Sequence, residues 1–292
     1  MNTMSISACA ALLLAPALPA ADAAGESAPS IPGYTLVWHD EFTAPGRPDP
    51  AKWDYQEGFV RNEEMQWYQR ENAFCENGLL IIEGRRETVK NPRFDPASAD
   101  WRLNRPEAHY TSACLVTKGK FSCRYGRFEM RARFTPAEGM WPAFWTLGVS
   151  EHWPSCGEID IMEYYKGKFL ANLCWSKEGE NRWDSAWSTK THPVAELEKE
   201  SPGWSSRFHV YRMDWDEKEV RLYIDGRLIN RTSLEGTLNA RWEKVRNPFR
   251  QPHYILVNLA LGATGGSLEN LSFPQRYEVD YIRVYRKTKA KK

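Results

Sequence analysis

Residues 157–165 read Gly157-Glu158-Ile159-Asp160-Ile161-Met162-Glu163-Tyr164-Tyr165, with three carboxylates inside an otherwise apolar run. The Ile, Met and Tyr content marks the run as a strand. Side chains alternate along a strand, so Glu158 and Asp160 share a face. Glu163 is out of phase with them, and one extra residue taken up as a β-bulge returns it to that face. Like charges packed together do not all stay ionised, so at least one carboxyl is pushed up in pKa and keeps its proton. A protonated acid beside an ionised one is the pairing that cleavage of a glycosidic bond requires. A solvated strand face or a cation site would use the same residue types, although a solvated face more often mixes Lys or Thr with its acids.

The elements that must hold this run are also strands. Tyr34–Trp38, Glu64–Tyr68, Leu79–Glu83 after the Asn77-Gly78 turn, and Phe128–Phe134 carry strand patterns. So do His209–Trp215, Val220–Ile224, Tyr254–Leu261 and Tyr277–Tyr285. Pro193–Glu200 is the best helical stretch and is short. Many strands with few helices predict an all-β antiparallel sandwich or barrel. Neither an internal repeat nor a linker interrupts Tyr34 to Tyr285, so one domain over 34–287 is expected, with a basic tail at 288–292.

Composition narrows the function classes. The net charge is +1 with both signs mixed, which argues against nucleic acid or an anionic membrane as partner. Thirteen Trp, 13 Tyr and 12 Phe supply core and also flat platforms for sugar rings. After the N-terminal region no run of 18 apolar residues occurs, so no transmembrane helix is expected. Ala10–Ala21 is apolar and Ala21-Asp22-Ala23 has the small-x-small pattern of a cleavage site, although no Lys or Arg precedes it. Residues 1–23 are therefore expected to be a signal peptide, 24–33 a flexible leader, and the protein secreted, periplasmic or on the cell surface. Five cysteines follow that segment, Cys75, Cys114, Cys123, Cys156 and Cys174. An odd number leaves at least one free thiol unless it pairs with another chain. Cys114 and Cys123 flank the Lys118-Gly119-Lys120 turn and are expected as cross-strand neighbours; for most of the five a buried apolar role is expected.

The acidic run and its flanks resemble glycoside hydrolase family 16. The segments that carry the resemblance are Gly126–Arg133, Gly139-Met140-Trp141-Pro142-Ala143-Phe144-Trp145 and Cys156–Glu163. Leu36–Phe42 and Val279–Tyr285 extend it over nearly all of the mature chain. The resemblance implies a concanavalin A-like jelly-roll β-sandwich of two antiparallel sheets, with a substrate cleft on one face. It implies retaining chemistry with Glu158 as nucleophile, Glu163 as general acid/base and Asp160 as their hydrogen-bonding, charge-tuning neighbour. In retaining enzymes the two reacting carboxyls lie about 5–5.5 Å apart. The resemblance also implies sugar stacking by Trp141 or Trp145. By period two Asn62, Glu64 and Gln66 share a strand face, and the resemblance gives this Asn sugar hydroxyls to bind. Trp175, after the acidic strand, is placed either along the leaving-group side or in the core. No cofactor is expected for catalysis; Glu41 and Asp280 match positions of a structural calcium with no catalytic role.

Substrate stays open at this stage. Leu170–Ser176 and the charged loop before Trp183-Asp184-Ser185-Ala186-Trp187 differ from the His-Gly-Pro-Gly-like stretch of laminarinases. Asn247–Tyr254 looks closer to a branch with endo-acting β-galactosidases on poly-N-acetyllactosamine of mucin-type O-glycans. The alternatives are an endo-β-1,3- or mixed-linkage glucanase and, from another class, a non-catalytic lectin, against which the full acidic set argues. The expected partner is a polysaccharide or glycan, met by a monomer.

Overall fold

The computed structural model describes residues 29–241 and 243–288. The expected signal peptide, residues 24–28 of the leader and residues 289–292 of the tail lie outside them. Within the described residues the chain forms an all-β jelly-roll sandwich of two antiparallel sheets. The eight-stranded sheet runs Arg227–Ser233, Glu219–Ile224, His209–Trp215, Gly126–Phe134, Gln275–Lys287, Leu79–Gly84, Ala73–Glu76. Tyr34–Asp40 also pairs with Gln275–Lys287, which is long enough to hold it beyond the Leu79–Gly84 contact. The seven-stranded sheet runs Ser185–Pro193, Lys168–Ser176, Glu158–Tyr165, Met140–Gly148, His253–Leu261, Cys114–Val116, Asp54–Gln56. Among the described residues one α-helix occurs, Val194–Glu200, within the predicted Pro193–Glu200.

Alternation explains the layering. In Gly126–Phe134 the side chains of Phe128, Met130, Ala132 and Phe134 are buried, and Arg127, Glu129, Arg131 and Arg133 are half-buried on the outer face. From the other sheet, Phe144, Ile159, Leu173 and Val257 enter the same core. Each such side chain removed from water stabilises the fold by about 1.5–3 kcal/mol before conformational entropy is counted.

Two sequence expectations change here. Glu64–Tyr68 shortens to a strand at Gln66–Tyr68, because Asn62 and Glu63 adopt positive φ (55° and 51°) and turn the chain. Cys114 and Cys123 do not face each other. Cys114 pairs with Asn258 and Cys123 with His253, at separate points along one neighbouring strand. The five expected thiols are free and buried.

The acidic strand carries the predicted irregularity. Asp160 and Glu163 lie opposite Asn172 and Leu170 on one side and opposite Trp145 and Ala143 on the other. Three steps along this strand therefore match two along each neighbour, which defines a bulge. Ile161 and Met162 both turn into the core, each 1% exposed. That double inward step returns Glu163 to the face of Glu158 and Asp160.

Gly157 sets the entry to this strand. Its φ is +77°, and an added Cβ would stand 2.6 Å from Pro248 Cβ. Gly157→Ala should cost about 2 kcal/mol through the strained φ and the overlap. Thermal unfolding monitored by circular dichroism should show a Tm lower by roughly 4–8 °C.

Candidate active site

The outer face of the seven-stranded sheet forms the floor of a cleft of about 750 Å³. Period two supplies the floor: Trp141, Ala143, Trp145 and Leu147 from one strand, Leu170 and Asn172 from another. Glu158, Asp160 and Glu163 all line the same cleft. Asp160 is buried, and both glutamates are half-buried.

Hydrogen bonds join two of the three acids, Asp160 and Glu163. Asn172 Nδ2 donates to Asp160 Oδ2 at 3.1 Å and to Glu163 Oε2 at 3.0 Å. Trp141 Nε1 donates to the other oxygen of Glu163, Oε1, at 2.7 Å. Glu163 is thus held from two strands, with each carboxyl oxygen fixed. Trp145 Nε1 donates to Asn258 Oδ1 at 2.7 Å, and Asn258 Nδ2 donates to Tyr68 Oη at 3.1 Å, which fixes the second floor tryptophan.

All three carboxyls are pushed above the ordinary range. Burial is the main cause for each; Glu163 also raises Glu158, and Asp160 is raised by both glutamates. Trp141 and Asn172 act in the opposite sense on Glu163, because a donated hydrogen bond favours the charged form. The positive charge of Arg61 does the same for Glu158. Burial pushes Glu158 up as well as Glu163, so the retained protons belong to the coupled set rather than to one member. A set that keeps a proton at neutral pH, with a cation favouring ionisation at Glu158, can supply both an acid and a nucleophile.

The predicted site residues divide. Trp141, Trp145, Asn62 and Glu64 line the cleft with the three acids. Gln66 does not. It is buried, its amide donates to Glu64 Oε2 at 2.7 Å, and its Oε1 accepts from Leu261 N at 2.8 Å. It holds Glu64 from behind and does not line the cleft. Trp175 is also absent from the cleft. It lies one residue out of phase with Leu170 and Asn172, and packs edge-on against Phe249, with ring centroids 6.2 Å apart.

Glu41 and Asp280 do not suit a calcium ion. Arg283 grips Glu41 through two hydrogen bonds, at 2.9 and 2.7 Å, and His39 approaches it at 3.0 Å. Asp280 is paired with Arg131. A cation would have to displace two guanidinium groups, and hard cations need several free oxygens. The pKa of Glu41 is lowered despite its burial, chiefly through Arg283. Among the described residues no group of three or more His, Cys, Asp or Glu is placed to hold a metal.

Sequence reasoning missed several cleft residues. Asn172 bridges two acids from the next strand and was visible only as an Asn inside an apolar run. Arg61 sits beside Asn62, with its guanidinium 5.0 Å from the Trp145 ring and hydrogen-bonded to Gln56. Trp153 and Trp183 reach the cleft from loops, and Trp187 from the edge strand Ser185–Pro193, which the sequence reading did not assign as a strand.

Comparison with known proteins converges on one family. The profile of glycosyl hydrolases family 16 matches residues 87–283. A β-glucanase of Rhodothermus marinus is 36% identical over 268 residues, 87% of this chain and 86% of that one. A keratan-sulfate endo-1,4-β-galactosidase of Sphingobacterium multivorum is 28% identical over 260 residues, 87% of this chain and 55% of that one. A solved structure, from work on endo-acting O-glycanases by which human gut microbiota initiate mucin breakdown, superposes with a TM-score of 0.80. It is 30% identical and covers 90% of this chain and 94% of its own.

The crowded acids should make stability depend on pH. A carboxyl whose folded pKa is raised above its unfolded value contributes stability that is complete below the unfolded pKa. That stability is lost as pH rises toward the folded value. Asp160→Asn removes the most buried of these groups. The variant should match the parent near pH 4 and exceed it by about 1–3 kcal/mol at pH 8, read by urea unfolding across that range.

Proposed function

The chain belongs to glycosyl hydrolase family 16, and from that premise we propose a secreted endo-acting enzyme that cleaves internal β-glycosidic bonds with retention of configuration. One observation carries the reading. The bulge brings Glu163 onto the face of Glu158 and Asp160, and Asn172 bridges Asp160 to Glu163 on the floor of an aromatic cleft. Metal and cofactor have no part in the chemistry assigned to these residues.

In the first step a Glu158 oxygen attacks the anomeric carbon, and the bond from that carbon to the leaving oxygen breaks. Glu163 passes its proton to that oxygen, and a glycosyl ester on Glu158 results. In the second step Glu163, now ionised, removes a proton from water. The water oxygen bonds to the anomeric carbon and the ester bond breaks, which restores both carboxyls. Asp160, buried beside both glutamates and joined to Glu163 through Asn172, tunes the charge that the pair carries. Trp141 and Asn172 hold Glu163 in line with the bond and favour its ionised form in the second step. The arginine beside this set favours the ionised nucleophile of the first.

For substrate, the reading is the β-1,4-galactosidic bond of poly-N-acetyllactosamine in mucin-type O-glycans. The O-glycanase likeness and the keratan-sulfate galactosidase relative support it. An endo-β-1,3- or mixed-linkage glucanase is the second reading, favoured by the 36% identity with the Rhodothermus marinus β-glucanase. Export through residues 1–23 fits a substrate too large to enter a cell.

Two measurements test these assignments. Incubation with mucin O-glycans, keratan sulfate, laminarin and lichenan, followed by product sizing, should release oligosaccharides from the first two; oligosaccharides from laminarin or lichenan alone would move the assignment to a glucanase. Single sugars from chain ends would contradict endo action. Glu158→Gln should lower kcat by at least about 10³-fold while binding of the same glycan persists. Full activity in that variant would remove Glu158 from the mechanism.

A further inference from the structure

Three tryptophans of the cleft lie outside its floor and expose large ring area. Trp153 is 38% exposed, Trp183 56% and Trp187 46%. All three line the cavity that holds the acids. Trp187 stands on the edge strand Ser185–Pro193, two strands away from the acidic strand. Trp183 sits on the loop that leads into that strand. Trp153 belongs to the segment before the acidic strand and lowers the pKa of Glu158 against the effect of burial. The rings therefore continue the cleft from the acids toward the sheet edge.

Packing does not account for this loop. Residues 177–183 are all exposed, so they contribute nothing to the core. The loop is nonetheless ordered by its own hydrogen bonds. Asn181 N and Nδ2 donate to the two carboxylate oxygens of Asp184, at 3.2 and 3.1 Å, and Trp183 N donates to Asn181 Oδ1 at 2.9 Å. Lys177 N closes the base on Asp184 O at 3.1 Å. Gly179 is required for the fit, because a Cβ there would stand 1.8 Å from Asp184 Oδ2. Arg182 caps one side of the Trp183 ring, 5.2 Å from its centroid. On the strand, Trp187 Nε1 donates to Ser185 Oγ at 3.0 Å, which holds that ring against the surface. Two large apolar rings kept in solvent by dedicated polar contacts cost stability unless something covers them.

We propose that Trp183 and Trp187 form a second sugar-binding platform, which stacks pyranose rings of the glycan chain beyond the unit being cleaved. The occupant follows from continuity with the cleft, since a chain threaded across the acids toward the edge strand runs over both rings. Its chemistry follows from the rings, which take the C–H face of a pyranose. A β-galactopyranosyl unit fits this requirement well. Its axial C4 hydroxyl leaves the C3, C4 and C5 hydrogens together on the opposite face, whereas in glucose the hydrogens of C3 and C4 lie on opposite faces. The platform makes the enzyme select for chain length. This inference rests on the proposed endo activity for its purpose, but its test reads binding.

The test uses the Glu158→Gln chain, with and without Trp183→Ala and Trp187→Ala. Calorimetry with N-acetyllactosamine oligomers of two, four and six sugars gives affinity against length. With both tryptophans present, affinity should rise with length; the double substitution should weaken the hexasaccharide about tenfold or more and leave the disaccharide within twofold. Equal affinity for the hexasaccharide with and without the two rings would overturn the platform. Uniform weakening at every length would overturn it too, because that is the signature of a disturbed floor. A parallel series of laminari-oligosaccharides separates the two ideas. Binding of that series alone, with the same dependence on Trp183 and Trp187, would reject the galactosidic reading and keep the platform. Far-ultraviolet circular dichroism and Tm of each variant confirm that the exposed substitutions leave the fold intact.

Discussion

Three carboxyl groups on one buried face repel each other and pay for lost hydration. The rest of the site answers that constraint. Burial and mutual charge push all three up in pKa, so the set holds protons where an isolated carboxylate would not. The groups around them then assign the charge that remains. Asn172 ties Asp160 to Glu163, Trp141 fixes the other oxygen of Glu163, and Arg61 favours ionisation at Glu158. None of this works without the bulge, since a regular strand would send Glu163 into the core with Ile161.

The same residue types behave differently on the opposite sheet. There most acids meet arginines: Arg127 with Asp214, Arg131 with Asp280, Arg133 with Glu278, Arg283 with Glu41. Such partly exposed pairs add little stability each, but they occupy the carboxylates that they hold. That is why Glu41 and Asp280, plausible as cation ligands in the sequence, are consumed as ion pairs. The balanced net charge conceals a division: acids with arginine partners on one sheet, and acids crowded against one another in the cleft of the other.

The tryptophans divide in a similar way. Trp53, Trp204 and Trp215 are buried in the core. Trp141 and Trp145 are buried at the cleft floor, each with its indole N–H spent on a side-chain oxygen. Trp153, Trp183 and Trp187 stand at the exposed margin. Ring area near water is costly, so their position separates a group that shapes the cleft from a group available to a ligand.

Much of this was legible in the sequence. Alternating apolar residues determined the strands, because a sheet with one buried face requires period two. The spacing of Glu158, Asp160 and Glu163 demanded a bulge, because only one extra residue brings all three to one face. Trp141 and Trp145 were expected from the family resemblance, and they stand four residues apart on one face of Met140–Gly148. What the sequence left undecided depends on which strands become neighbours and in what register. Asn172 joins the acids because strand pairing sets it opposite Asp160, far along the chain but beside it in space. Gln66 and Trp175 were drawn out of the cleft by contacts with Leu261 and Phe249, which lie far along the chain. Arg61, Trp153 and Trp183 stand on turns and loops, where no periodicity fixes direction, and Trp187 stands on an edge strand that the sequence pattern did not mark. Local pattern decides which face a side chain takes; only tertiary packing decides what it meets there.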